Sequence, residues 1–310
     1  MDLSTLNPAI LIASLMIAAT PILLAGIGEL VVEKSGVLNL GVEGMMIMGA
    51  VCGFMVTIES QSIWLGFLAA IVGGVLTSLV FAVVTQVFLA NQVASGLALT
   101  LFGLGLSALM GQSYSGLKPP TFPTVELGFL SDIPLFGTML FSHDAIVYIS
   151  LMLVLLVFLF LKYSRAGLIL RAVGENHHAA HALGYKVVMV RFFAIMFGGG
   201  CAGLGGAYLS LVRVPQWTDG MTAGAGWIAL AIVVFASWQP LRILLGAYLF
   251  GGISVLELNL QAIGVDIPVV FLSMAPYVIT IVVLVLMSAS RARGSLLAPR
   301  SIGKVFHANS

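Results

Sequence analysis

Arg171–Arg191, RAVGENHHAAHALGYKVVMVR, is a short polar and basic island between two apolar runs of membrane-spanning length. The chain around it has 310 residues, 60% of them hydrophobic and only 8% charged. A soluble domain carries about a quarter of its residues as charges, so this composition specifies a polytopic membrane protein. Such a chain has reason to keep a polar island only where something outside the membrane reads it. Lys162, Arg165, Arg171, Lys186 and Arg191 lie in the island or at its edges, five of the 13 Lys and Arg. Basic loops stay on the cytoplasmic side of a membrane, which puts the island in the cytoplasm. It reads as a docking element for a soluble partner.

Working outward, spans of about 20 apolar residues cross a bilayer. Nine are expected, near 8–28, 42–58, 63–89, 94–112, 145–161, 192–212, 222–237, 241–258 and 267–289. The fold class is therefore an all-α transmembrane bundle of about nine spans, eight to ten being compatible with the sequence, in one domain over 1–310. The softest region is 29–44, which has room for a half-helix. With the island inside, alternation places Lys34, Lys162, Arg165, Arg171, Lys186, Arg191, Arg242, Arg291, Arg293, Arg300 and Lys304 inside as well. Lys118 and Arg213 fall outside. That bias predicts the N-terminus out and the C-terminus in.

The outer loop at 114–144, with Pro119, Pro120, Pro123 and Pro134, reads as a rigid cap on the outer surface. The tail at 291–310 is basic and polar, expected at the inner surface and fraying at its end, with a lipid-facing or disordered role as the default. MDLSTLNPAI has no basic n-region, and Glu29, Glu33 and Lys34 follow the first apolar run, against a cleaved signal. Cys52 and Cys201 sit in apolar runs and read as small buried hydrophobes. No basic face is concentrated enough for nucleic acid. P-loop and nucleophile-elbow patterns are absent from the sequence, so an enzyme is not expected, and any ATP work belongs to another chain.

Within the island, Gly174 can end one turn, Glu175 suits a helix N-terminus, and Gly184 supplies a stop. The expected helix has about nine residues and a length of roughly 13 Å. Asn176, Ala179, Ala180 and Leu183 share one face by their spacing, and the small residues allow close approach to a groove. His177 and His181 are four apart, a spacing that suits a metal, but the sequence supplies no nearby third ligand and no HExxH pattern. A solvated or partner-facing histidine cluster is the expectation.

Ionisable residues at membrane depth are functional candidates. Glu43 is the foremost, beside Asn39 and Gly44; Glu29 and Glu33 are expected at the inner interface with Lys34 as countercharge. Asn91, Gln92, Ser95 and Thr100 offer neutral hydrogen bonding near the inner end of the fourth span, as do Thr222 and Trp227 near the seventh. This inventory suits a pathway for a polar, uncharged solute better than a proton relay. Gly198, Gly199, Gly200, Gly203, Gly205 and Gly206 within one span are read as close helix packing, with helix breaks around a pathway as the alternative. Gly36–Gly49 and Gly220–Phe235 each place a glycine-broken polar lead before a dense apolar run, a weak internal similarity.

SGVLNLGVEGMMIMGA (35–50), QVASGLALTLFGLGLSALMG (92–111), RAVGENHHAAHALG (171–184) and GWIALAIVVFASWQPLRILLGAYLFGG (226–252) resemble permease subunits of bacterial ABC importers. The class is that for branched-chain amino acids, ribose and simple sugars, nearest to its nucleoside and simple-sugar branch. The resemblance implies a multi-pass protein of the bacterial cytoplasmic membrane, surrounded by lipid and paired with a second, related permease chain. It also implies cytoplasmic ATPases that hold ATP and Mg, with no cofactor on this chain, and an extracytoplasmic solute-binding protein. The 171–184 element would be the coupling helix, with Arg171, Gly174, Glu175, Asn176, Ala179, Ala180 and Gly184 at the matching positions. The histidine triplet is not something the class demands. A self-contained secondary transporter or channel is the alternative and requires a titratable group at mid-membrane.

Overall fold

The computed structural model describes residues 8–126, 141–262 and 298–307, with isolated positions between 274 and 285. The first half of the bundle comprises α1 (Pro8–Lys34), α2 (Val42–Ser60), α3 (Ile63–Ala82, extended by a wide turn over Val83–Val87) and α4 (Gln92–Gly111). Two short strands follow, β1 (Thr124–Glu126) and β2 (Ser142–Asp144), paired antiparallel with Val125 opposite His143. Then come α5 (Ala145–Tyr163), α6 (Arg165–Glu175), α7 (His177–Ala182), α8 (Val187–Tyr208, extended by a wide turn over Leu209–Arg213), α9 (Ala225–Phe235) and α10 (Pro240–Ala262).

Among the described residues, seven helical stretches are long and apolar enough to span: Ala9–Lys34, Val42–Ser60, Ile63–Val87, Gln92–Tyr114, Ala145–Tyr163, Val187–Arg213 and Pro240–Gln261. Two of the nine expected spans need comment. The ninth, 267–289, lies outside the described residues apart from five isolated positions. The seventh, 222–237, is not a full-length helix. α9 has 11 residues, about 16 Å of rise against a core of about 30 Å. The chain descends to it as turns: Trp217 packs on Gly111 at the far end of α4, Thr222 reaches Glu43, and Trp238 meets Glu33. That crossing is made in two pieces, irregular backbone and then a half-helix, which membrane depth permits where the irregular part is enclosed by protein.

α8 is the central helix, packed on α1, α2 and α3 through its glycines. A Cβ on Gly49 of α2 would lie 2.2 Å from the Gly203 Cα, and one on Gly74 of α3 would lie 2.1 Å from the Gly199 carbonyl oxygen. These backbones touch, the arrangement by which small residues let membrane helices associate where lipid is as apolar as the core. α8 runs unbroken through Gly198–Gly206, so these glycines serve packing rather than helix breaks.

No half-helix hides in 29–44. α1 continues through Glu29 and Glu33 to Lys34, and residues 35–41 are irregular. Glu29 and Glu33 are buried within the bundle. In the segment after α4, Phe122 packs edge-on against Trp64 and Phe67. The tail departs from its expectation: residues 298–307 are docked on α6 and α7.

Candidate functional site

Two polar regions stand out, one at the α6–α7 end of the bundle and one inside it. Ser164 caps α6, its hydroxyl accepting from the Gly167 N–H at 2.8 Å. Leu170, Val173 and Gly174 turn inward from α6, while Arg171 and Glu175 face out. Gly174 does not end the helix. A Cβ there would lie 2.1 Å from the Lys34 carbonyl oxygen, so glycine lets α6 touch the end of α1. The break comes at Asn176, whose side chain accepts from the Ala179 N–H at 3.0 Å and caps α7. Asn competes with helix continuation by bonding its own neighbours, which is why it sits at the cap and not on a helix face. α7 has six residues, about 9 Å of rise and shorter than expected. It stops at Gly184, φ +87°, a conformation suited to glycine.

Arg171, Glu175, Asn176, Ala179 and Gly184 are exposed; Ala180 and Gly174 are buried in the chain's own packing. Leu183, 78% exposed, projects from this polar loop. Ala180 packs with Val173, Val187 and Phe306. The rings of His177, His178 and His181 surround Phe306 at centroid distances of 5.4, 5.8 and 5.3 Å. The cluster thus packs against a residue of the tail, with His177 buried and His178 and His181 still exposed.

Arg191, counted from sequence as one more basic loop residue, is fully buried one turn into α8. Its guanidinium donates to the Ser35 carbonyl (3.3 Å), to Gln86 Oε1 (3.4 Å) and to the Lys304 carbonyl (3.2 Å). Its Nη2 lies 3.1 Å from His177 Nδ1. Arg has no acceptor, so Nδ1 accepts and the ring carries its proton on Nε2. Burial, together with the neighbouring Arg191 charge, pushes His177 down to about 4 from the usual 6.5 and keeps it neutral. The available signal was an arginine one turn inside an apolar run, where a buried charge needs several acceptors. Ser301 and Phe306 gave no such signal.

In the interior, Glu43 begins α2 and is 3% exposed. Its Oε1 accepts from the Thr222 hydroxyl at 2.6 Å and the Gly224 N–H at 2.8 Å, and its Oε2 from the Gly226 N–H at 2.7 Å. Gly224 and Gly226 form the N-terminus of α9, whose dipole favours a negative charge. Each bond to a charged group contributes roughly 1.5–3 kcal/mol, enough to offset a burial cost of several kcal/mol. The two glycine-broken leads seen in the sequence meet here, at the starts of α2 and α9.

The other pathway candidates divide. Asn39 donates to Glu29 Oε2 at 3.0 Å and accepts from the Gly41 N–H at 3.0 Å. Gln92 accepts from the Leu38 N–H at 2.8 Å, and Thr100 donates to the Leu40 carbonyl at 3.1 Å. A Cβ on Gly44 would lie 2.7 Å from the Leu99 carbonyl oxygen. Asn39, Glu43, Gly44, Gln92, Thr100 and Thr222 therefore brace the irregular segment 35–41 against α1, α4 and α9. Asn91 only caps α4, accepting from the Ala94 N–H at 3.0 Å. Ser95 lines a groove between α3 and α4, and Trp227 is 48% exposed. Glu29 and Glu33 each have one buried carboxylate oxygen without a partner among the described residues. The other oxygen of Glu33 accepts from the Trp238 indole N–H.

The chain resembles a Haloferax volcanii protein named for glucose ABC transport, TsgC13, with 46% identity over 79% of this chain and 76% of that one. It is 32% identical to the guanosine ABC transporter permease protein NupQ of Bacillus subtilis, covering 89% of this chain and 91% of that one. With the nucleoside ABC transporter permease protein NupC of Lactococcus lactis it shares 31% identity over 95% of each chain. The family described as branched-chain amino acid transport system, permease component, matches residues 11–289. With its apolar spans, its capped polar element at one end and a family match over most of its length, the chain belongs to the branched-chain amino acid transport system permease component family and is a membrane transport subunit.

Proposed function

We propose that this chain is one of two related permease subunits of an ATP-driven importer for a nucleoside or simple sugar, fed by an extracytoplasmic binding protein. The named solutes of its relatives support the substrate class. The N-terminus is out and the α6–α7 end faces the cytoplasm; Lys34, Arg171, Lys186, Arg191, Arg300 and Lys304 gather there, in keeping with basic residues staying inside. Cytoplasmic ATPases, carrying ATP and Mg, dock on the 171–184 element.

The observation that carries this reading is Leu183. A large apolar side chain exposed beyond the spans, on a short capped helix, is a feature that a partner's groove would cover. ATP-driven closure of the partners would move α7 and, through the bundle, the braced segment 35–41 and the N-terminus of α9, opening the pathway to each side in turn. The 114–144 loop would face the binding protein. The test is co-purification of the full chain with its co-expressed partners, followed by ATP hydrolysis with and without solute-loaded binding protein. Recovery of an ATPase that responds to a loaded binding protein supports the reading. A chain that purifies alone and moves solute in liposomes contradicts it.

One observation favours a second reading, a proton-linked transporter: Glu29 and Glu33 lie one turn apart on α1, buried, each with an unpartnered oxygen among the described residues. Uptake that persists without ATP and collapses with a protonophore would select it.

A further inference from the structure

Building on the proposed role of α7 as the ATPase-docking helix, we propose that residues 298–307 are a clamp that sets the position of α7 and joins it, through Arg191, to the pathway segment 35–41. A six-residue helix has no stability of its own in water, because nucleation fixes several residues before any bond repays it. α7 is therefore held by what surrounds it, and much of that is the tail. The Ser301 N–H donates to the Gly174 carbonyl at 2.9 Å, tying the tail to α6. The Ser301 hydroxyl oxygen accepts from the His177 N–H at 3.4 Å, engaging one of the amides that a helix start leaves unbonded. Phe306, 5% exposed, fills the space between the histidine rings and Val173, Ala180 and Val187. By comparison, the Arg300–Glu175 ion pair at 2.9 Å is exposed on both sides and adds little.

The clamp also completes the coordination of Arg191. Its guanidinium joins four partners, with Nη1 donating to both the Lys304 carbonyl and Gln86, Nε to the Ser35 carbonyl, and Nη2 to His177. Ser35 opens the segment that runs through Asn39 to Glu43. A displacement of α7 thus reaches the pathway segment through one buried, multiply bonded side chain. Without the tail, α7 would lose its apolar cover, and Arg191 one of its acceptors. Phe306 and Ser301 are positioning residues that act through α7 and Arg191.

The test uses the full chain in its complex with the co-purified ATPase, in nanodiscs, and requires no knowledge of the solute. Hydrogen exchange of the peptides spanning 176–186 and 35–41 is compared between the nucleotide-free and ADP-vanadate-trapped states. In the unsubstituted complex both peptides should change on trapping, the 35–41 peptide by about fivefold, within the range of coupling energies measured along such networks. In Phe306→Ala the ATPase stays bound and α7 still responds, but the 35–41 change falls below about twofold; Phe306→Leu, which keeps the apolar contact, restores it. If Phe306→Ala is not recovered from membranes, Ser301→Ala carries the test in the same direction. A 35–41 response unchanged in the substituted chain overturns the clamp. No response of α7 in the unsubstituted complex instead overturns the docking role on which the clamp rests.

Discussion

Arg191 Nη2 lies 3.1 Å from His177 Nδ1, so α8 holds α7 by a bond that exists only while the imidazole is neutral. Protonated, His177 would present a donor to a donor, beside His178, His181 and Lys304. The ring is held at about 4 against 6.5 when unfolded. Above pH 6.5 neither state carries the proton and stability is unaffected by this group. As pH falls from 6.5 to about 4, the unfolded chain takes a proton that the folded chain refuses, so stability declines, by at most about 3 kcal/mol. Thermal unfolding across that range should show the decline. His177→Asn, which keeps an acceptor at the Nδ1 position without titrating, should remove most of it. An equal decline in both proteins would contradict the assignment.

Glu43→Gln should be costly. Three donors converge on two carboxylate oxygens, and a carboxamide turns one oxygen into a donor facing N–H or O–H groups. An unsatisfied buried group costs about 1–3 kcal/mol, more where a charge-assisted bond is lost. Melting of the purified protein should show the loss; an unchanged melting temperature would mean that Glu43 does not brace α9.

The opposite result is expected at Glu29 and Glu33. Each uses one oxygen as an acceptor, and glutamine keeps that acceptor while removing a group whose charged form burial disfavours. Glu29→Gln and Glu33→Gln should therefore be neutral within about 1 kcal/mol, or stabilising. Strong destabilisation would reveal a partner for the second oxygen.

Gly226→Ala should disrupt folding outright, since the new Cβ would lie 2.6 Å from both Cα and N of Glu43. Backbone atoms cannot yield as a flexible side chain does. Normal expression and melting would show that α9 can shift away from α2.

Asn176→Ala removes the α7 cap, worth about 1 kcal/mol. Melting should barely change, because α7 is a small part of the fold, whereas uptake per ATP hydrolysed should fall severalfold. Glu175→Ala, losing only an exposed ion pair, should alter melting even less. Intact coupling in Asn176→Ala would argue against α7 as the docking helix.

The spans were legible because a continuous apolar run of bilayer length has few other uses, and seven of the nine expected spans match single long helices. The seventh was misjudged because hydropathy sums over Gly220–Phe235 without registering that Gly220 and Gly224, with φ of +66° and +86°, turn the backbone before α9 begins. Spacing from Lys34 could not show that the turn before α10 brings Trp238 onto Glu33 from 205 positions away. The polar candidates around Glu43 were found as residues, but the bracing by Glu43, Gln92, Thr100 and Thr222 depends on partners 54–183 positions away. Phe306 and the histidine triplet are 125–129 positions apart, and nothing local in either announces the other.

The central claim, that α7 docks a separate ATPase, is tested most directly at Leu183. Leu183→Asp leaves the packed interior untouched, so the chain should fold and insert normally. Pull-down of this variant from cells co-expressing its partners should recover the second permease but little ATPase, with solute uptake lost. Full recovery of the ATPase and normal uptake would contradict the claim.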